Sequence, residues 1–335
     1  MPPRPLALSL GDPAGIGPEL IVEAWSRRGD NALPPFLVAG GANILRAAAV
    51  ARGHDVPIAE IGDPAEAPDQ FSSALPVLRG PDGDYRPGQP DAQGARIALG
   101  SLEMAASLTV AGQAAAIVTG PIAKSELAKI GFAFPGQTEF VAAACGVAAD
   151  DAVMLLAGPN LRTVPLTVHC SLAEVPGRIT RDLILRRARV VHMAMRQDFG
   201  IPSPRLAICG LNPHAGEAGR MGREEIETIG PAIDALRAEG IAASGPHPAD
   251  SLFAPHARAG FDVAIAMYHD QALVPIKALD FDAGVNMTLG LPIIRTSPDH
   301  GTAFSIAGTG AAHPGATLAA IRLAGEAAAR RAAAA

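Results

Sequence analysis

The chain has 335 residues, 49% of them hydrophobic and 18% charged, with a formal net charge of −6. That length buries one large or two medium cores, and so apolar a composition excludes disorder as the main state. An acidic balance without any Lys/Arg-rich run argues against a nucleic-acid or anionic-membrane partner, so an anionic substrate has to meet a local basic pocket. Strand-like and helix-like stretches alternate from the start: LALSLG (6–11) before a helix from about 18 to 28, FLVAGG (36–41) before a second helix, and AAIVTG (115–120) before a third. Such alternation predicts βαβ units and a mostly parallel sheet. Residues 91–112 form the longest early helical pattern, and 179–199 and 223–239 are two more. Residues 152–168 hold two strand-like runs around Gly158-Pro159-Asn160, a hairpin signal that predicts local antiparallel pairing. The Ala-rich end ATLAAIRLAGEAAARRAAAA predicts a terminal helix. No segment approaches the ~18 consecutive apolar residues of a membrane span, and MPPRPLALSLGDP lacks the apolar core and cleavage site of a secretory signal. A cytoplasmic protein is expected, with Cys145, Cys170 and Cys209 as reduced thiols in or beside apolar runs.

Three apolar runs each end on a histidine: VPLTVH at His169, LAICGLNPH at His214 and VAIAMYH at His269. Ligands of open α/β sheets gather beyond the carboxyl ends of the strands. His is the commonest divalent-metal ligand, and three protein donors with an open position mark a catalytic metal. These three are the candidate ligands, with Glu217 and Asp270 available to fix ring tautomers. His54, His192, His256 and His313 lie in polar or helical surroundings and carry no such expectation.

GDPAGIGPE (11–19) links a strand to a helix, with glycines where backbone must approach closely. It is not G-x-G-x-x-G, and it serves a fold or a ligand equally well. Gly136-Gln137-Thr138-Glu139 opens a helix whose first N–H groups suit an anion. Further on, Lys277, Asn286 and Arg295 offer an ammonium, an amide and a guanidinium to a phosphate or carboxylate. The competing reading is three unrelated solvated side chains.

Taken together, GDPAGIGPE, TGPIAKSEL, GQTEF, NPHAGE, PADSLF, YHDQALVPIK and GVNMTLGLPIIRTSPDHGTAF resemble the 4-hydroxythreonine-4-phosphate dehydrogenase family of pyridoxal phosphate biosynthesis, in the same order up to about Gly308. The resemblance implies an α/β, two-lobed isocitrate/isopropylmalate-dehydrogenase-like α/β/α fold with an inter-lobe active-site cleft. It implies a nucleotide-binding lobe of residues 1–125 and 296–335, and a metal, substrate and dimerisation lobe of 126–295. It further implies a homodimer, NAD or NADP bound without the usual dinucleotide fingerprint, and one divalent metal per site (Zn, Mg or Co). His169, His214 and His269 would hold that metal, His269 coming from the partner subunit. Gln137, Thr138, Lys277, Asn286 and Arg295 fall at substrate-binding positions, and Asp299, His300, Gly301, Thr302 and Ala303 at the nucleotide contact.

The implied chemistry is oxidation of the 3-hydroxyl of 4-phosphooxy-L-threonine, then loss of CO2 to give 3-amino-2-oxopropyl phosphate. Lys277 would help hold an anionic end, and Asp270 is the candidate proton acceptor, with orientation of His269 the alternative role. There are two departures from the family pattern. Gln137 stands where the family usually has histidine, and Ser305 where related loops are often acidic. Rival readings are a sister dehydrogenase acting on phosphothreonate, phosphoerythronate or a dihydrodiol, and a non-redox protein that binds metal and phosphate.

Overall fold

The computed structural model describes residues 4–334. Strands β1 (Leu6–Ser9), β2 (Phe36–Ala39), β3 (Ile58–Ile61), β4 (Leu75–Leu78) and β5 (Ile117–Thr119) come first, with helices α1 (Gly17–Ser26), α2 (Ala42–Arg52), α3 (Ala92–Val110) and α4 (Gln137–Ala144). Next come β6 (Val153–Ala157), β7 (Arg162–Thr167), α5 (Arg181–Gln197), β8 (Leu206–Cys209), α6 (Gly230–Ala238), β9 (Ala243–His247), β10 (Val263–Tyr268), α7 (His269–Asp280) and β11 (Val285–Leu289). Strand β12 (Arg295–Pro298) and helix α8 (Gly315–Ala334) complete the chain. The fold is α/β and two-lobed, as expected: one unit takes residues up to Ala152 with Leu291–Ala329, the other Val153–Gly290 with the residues from Arg330 onward.

The first unit has the strand order β3-β4-β2-β1-β5-β12, parallel throughout. β1, β2 and β4 are buried at every position, as strands covered by helices on both faces must be. α3 buries Ala95, Ala98, Leu102, Ala105 and Ala106, the i, i+3, i+4 spacing of one helix face, and Leu102, Ala105 and Ala106 share a core cluster with Ala7, Leu37 and Ile117. Val141 and Ala142 of α4 join the same core. The lobe boundary expected after 125 therefore falls after Ala152, because 126–152 packs with the first unit, and the return falls at Leu291 rather than 296.

The second unit has the order β11-β6-β7-β10-β8-β9. β6 runs antiparallel to both β7 and β11, which is the hairpin read from residues 152–168, and the remaining pairs are parallel. Thr180 caps α5 by accepting from Leu183 N at 3.1 Å, and Ile184, Ala188, Val191 and Met195 line its buried face. The helix read over 223–239 opens instead as a π-helical turn, Glu225–Ile229, before α6. Widened turns of this kind are frequent at functional sites, and this one carries the buried Glu225.

Candidate active site

Strand register explains which histidines meet. Thr167 of β7 pairs with Tyr268 of β10, so the two strands end level and His169 and His269 leave them as neighbours. Their ring centroids are 6.2 Å apart, and both line a cavity of about 380 Å³ that also takes in Cys170, Glu174 and Asp270. His169 sits at φ 46, a left-handed conformation that costs a non-glycine residue of order 1–3 kcal/mol and clusters at functional sites. His269 is the first residue of α7, and its Nδ1 donates to Asp270 Oδ1 at 2.7 Å. That contact fixes the proton on Nδ1 and leaves Nε2 as the free donor atom. On the cavity rim, hydrogen bonds from Ser171 and the pairing with Arg178 hold the Glu174 carboxyl down at about 2, so it is ionised at any working pH.

His214 behaves differently. β8 ends at Cys209, and the chain runs through four more residues before reaching His214. His214, Ala215, Gly216, Glu217 and Ala218 all have φ between 43 and 78. The residues leading into this run are held by the Glu225 carboxylate, whose Oε1 accepts from Leu211 N and Asn212 N, both at 2.8 Å, and whose Oε2 accepts from Asn212 Nδ2 at 3.0 Å; a Cβ at Gly216 would lie 2.6 Å from that Oε2. Among the described residues no three of His, Cys, Asp and Glu form a group that could hold a metal ion. As neutral nitrogen donors, the two imidazoles brought together fit a divalent cation, and a single chain contributes that pair without His214. Gln271, which sequence reasoning passed over, stitches the strand ends: its Oε1 accepts from Met267 N at 2.7 Å and its Nε2 donates to Gly210 O at 2.8 Å. Its only sequence signal was its place two residues after His269. Lys277 is half-buried on α7 and Asn286 half-buried on β11, opposite Leu156 of β6.

In the first unit, β12 pairs with β5 so that Arg295 lies opposite Ile117. Arg295 is 4% exposed. Its Nη2 donates to Thr119 Oγ1 at 2.8 Å and its Nη1 to Thr138 Oγ1 at 3.3 Å. Burial pulls this guanidinium down to about 10, against the opposing influence of Glu139. Thr138 stands in the first turn of α4, where unpaired N–H groups and the helix dipole favour an anion. A Cβ added at Gly136 would lie 3.5 Å from Lys124 Nζ, so an ammonium also approaches this turn. Gln137 is tethered, its Nε2 donating to Gly120 O at 3.0 Å, while its Oε1 is buried without a hydrogen-bond partner. Thr119 was missed because a threonine closing a strand carries no chemical signature of its own.

Residues 299–303 follow β12 directly. Thr302 O accepts from Ile16 N at 3.0 Å, and a Cβ on Gly15 would meet that same oxygen at 2.8 Å. Gly15 is therefore required by close packing of this loop, which settles the open question about GDPAGIGPE at that position. Ala303 has φ 46. His300 Nδ1 donates to Gly301 O at 3.0 Å, leaving a buried Nε2 without a partner, and burial lowers its pKa. An orphaned acceptor in this loop fits a ligand that brings a hydroxyl or amino donor, as a dinucleotide does.

The profile of the family described as "Pyridoxal phosphate biosynthetic protein PdxA" matches residues 32–324. A 4-hydroxythreonine-4-phosphate dehydrogenase from Erythrobacter litoralis (strain HTCC2594) is 64% identical over 331 residues, 99% of this chain and 98% of the relative. The crystal structure of 4-hydroxythreonine-4-phosphate dehydrogenase from Klebsiella pneumoniae superposes with a TM-score of 0.86 at 37% identity, covering 97% of this chain and 99% of that one. A terephthalate 1,2-cis-dihydrodiol dehydrogenase from Burkholderia xenovorans LB400 superposes with a TM-score of 0.66 at 31% identity, covering 96% and 97%.

Proposed function

The chain belongs to the PdxA family of pyridoxal phosphate biosynthetic proteins, a family of oxidoreductases, and from that premise we propose that it converts 4-phosphooxy-L-threonine to 3-amino-2-oxopropyl phosphate and CO2. The observation that carries this reading is Arg295: a buried guanidinium bonded to two threonine hydroxyls beside the first turn of α4 suits a phosphate monoester, which supplies the charge that burial has stripped from its surroundings. Thr138 and the first-turn N–H groups share the phosphate, and Lys124 adds positive charge. Lys277 and Asn286 hold the carboxylate end of the substrate, and Gln137 lines the phosphate turn. A substrate so held would have its binding energy converted into alignment of C3.

Asp299, His300, Gly301, Thr302 and Ala303 would bind NAD, or NADP given serine at 305, which when bound would supply hydride-accepting chemistry at C3. His169, His214 and His269 would hold a divalent cation, Zn, Mg or Co, which as a Lewis acid acidifies the 3-hydroxyl and stabilises the negative charge left by departing CO2. In this reading the working unit is a homodimer and His269 comes from the partner subunit. What supports completion by a second copy is that one chain does not assemble three donors, although within the chain it is His214, not His269, that stands apart from His169. Asp270 takes either the hydroxyl proton or the role of orienting His269; its 2.7 Å contact with Nδ1 supports the second.

The relative named as a dihydrodiol dehydrogenase, together with the neutral Gln137, keeps one alternative open: oxidation of a diol or another phosphorylated hydroxy acid. A substrate panel decides. NADH formation is expected with 4-phosphooxy-L-threonine and little with phosphothreonate, phosphoerythronate or a cis-dihydrodiol. Turnover confined to one of the others overturns the proposal.

A further inference from the structure

The first unit buries two carboxylates that none of these roles uses. Glu19 and Glu23 stand one turn apart on one face of α1, each 2% exposed. Arg52, at the end of α2, donates from Nε to Glu23 Oε2 at 2.8 Å and again from Nη2, but reaches Glu19 Oε2 from Nη1 at 3.4 Å. Arg27 adds a further contact to Glu23 at 2.6 Å. Glu23 thus takes most of the positive charge and Glu19 is under-compensated. Tyr85 faces the same cluster with its hydroxyl buried and without a hydrogen-bond partner. Burial and then the Glu19 charge push that phenol up to about 12, so it stays neutral.

Beyond each other, Glu19 and Arg52 touch the segment that follows the 299–303 loop. Gly308 N donates to Glu19 Oε1 at 3.3 Å, and Arg52 Nη2 donates to Ala312 O at 2.6 Å. Ala307 and Ala312 pack on Ile16 and Leu20. Gly308 has φ 73, and a Cβ there would meet Pro87 Cγ at 2.7 Å, so this backbone is held at close quarters. We propose that Glu19, working through Gly308 and supported by Arg52, is the positioning residue that holds residues 304–312 and thereby presents the dinucleotide-binding loop. The inference rests on the cofactor role proposed for 299–303.

The charge on Glu19 makes two opposite signatures. Desolvation raises its pKa above the ordinary value, reinforced by Glu23 and opposed by the Gly308 N–H and Arg52. The ionised form is therefore penalised by folding, and global stability gains as pH falls through that raised value. Over the same window the Gly308 bond changes from charge-assisted to neutral, roughly half as strong, so cofactor affinity falls while stability rises.

The test is NADH binding, followed by fluorescence without substrate from pH 8 to pH 5, together with backbone hydrogen exchange across 304–312, in the wild type, Glu19→Gln, Glu19→Leu and His300→Ala. In the wild type Kd should rise toward acid, by up to about fivefold, whereas Glu19→Gln should bind more weakly than the wild type at pH 8 and show a shallower rise toward pH 5, since His300 titrates in both proteins. Glu19→Leu should exchange faster across 304–312 and bind more weakly at every pH. Parallel pH curves for the wild type and Glu19→Gln, or exchange unchanged in both Glu19 variants, overturn the inference; the Glu19→Gln comparison decides alone if Glu19→Leu does not fold. His300→Ala separates the premise: if it weakens NADH binding while both Glu19 variants do not, the cofactor loop stands and the positioning role falls. If neither His300→Ala nor the Glu19 variants alter Kd, the cofactor role and the inference fall together.

Discussion

The anion anchor of the first unit and the histidine pair of the second are built in opposite ways. Arg295 lies on a strand, 4% exposed, its guanidinium held by hydroxyls from β5 and α4. His269 and Asp270 lie where a strand turns into a helix, with side chains 39% and 74% exposed. In the first case parallel register brings Arg295 beside the end of β5 and α4 adds Thr138, and low dielectric strengthens what such groups do to an anion. In the second, register brings only His169 to His269, and His214 is carried away by a left-handed run after β8. Under the proposed function a pre-formed pocket would read the substrate, while the metal half would be completed only by what binds to it. The difference teaches which mutations should act through preorganisation and which through occupancy.

The largest effect is expected from emptying the exposed half. His169→Ala and His269→Ala should each remove the bound divalent metal and abolish turnover together, since two of three donors cannot be spared, while the protein stays folded. Metal content after purification and NADH formation are the measurements. His214→Ala sharpens the comparison: loss of metal there means that the left-handed run swings its imidazole in when metal binds, and full metal content means the third donor is another group.

Next in size is the buried half. Arg295→Met removes hydrogen bonds from a charged group, each worth roughly 1.5–3 kcal/mol, so kcat/KM for the phosphorylated substrate should drop about 10²–10³-fold. Stability should move the other way: burial has already lowered the pKa of Arg295, and replacing a buried charge by a packed apolar chain is often neutral or stabilising. A thermal melt that drops along with activity would show that Arg295 holds the sheet together rather than the substrate.

These asymmetries also explain what the sequence made legible. Parallel strands buried on both faces read as apolar runs, so β1, β2, β5, β8 and β10 are legible in the sequence, and so is the β6–β7 hairpin. The meeting of His169 and His269 followed from strand ends, because register is a property of runs. His214 did not follow, because five residues of positive φ after Cys209, fastened by a glutamate more than ten residues on, leave no periodic trace. Glu225 and Gln271 were invisible for the same reason: each acts through hydrogen bonds to backbone groups, which any Glu or Gln can make. The boundary shift from 125 to 152 came from α4, whose Val141 and Ala142 look like any short apolar helix face until their partners are known.

A smaller effect separates the two roles open to Asp270. Asp270→Asn keeps size but weakens the hold on His269 Nδ1, so metal affinity should fall about 10–100-fold, with turnover recovered at high metal concentration. If Asp270 is instead the proton acceptor, metal affinity stays near the wild-type value and kcat collapses at every metal concentration. Metal titration of both proteins, read by NADH formation, distinguishes the outcomes.

The smallest effect tests Gln137, at the edge of the buried half. Its Nε2 is committed to the Gly120 carbonyl, so this amide offers the phosphate less than a free donor would, and it offers no charge. Gln137→His introduces an imidazole that is cationic at mildly acidic pH. A charge-assisted bond is about twice as strong as a neutral one, so KM should fall a few-fold relative to the wild type at pH 6 and less at pH 8, with kcat little changed. Comparison at each pH against the wild type cancels protonation of the phosphate itself, whose second pKa is near 6. A KM that matches the wild type from pH 6 to pH 8 would mean that Gln137 serves only to tie the start of α4 to β5. A collapse of kcat would mean that the amide touches the reacting end of the substrate, and the buried half would then take part in the chemistry as well as in recognition.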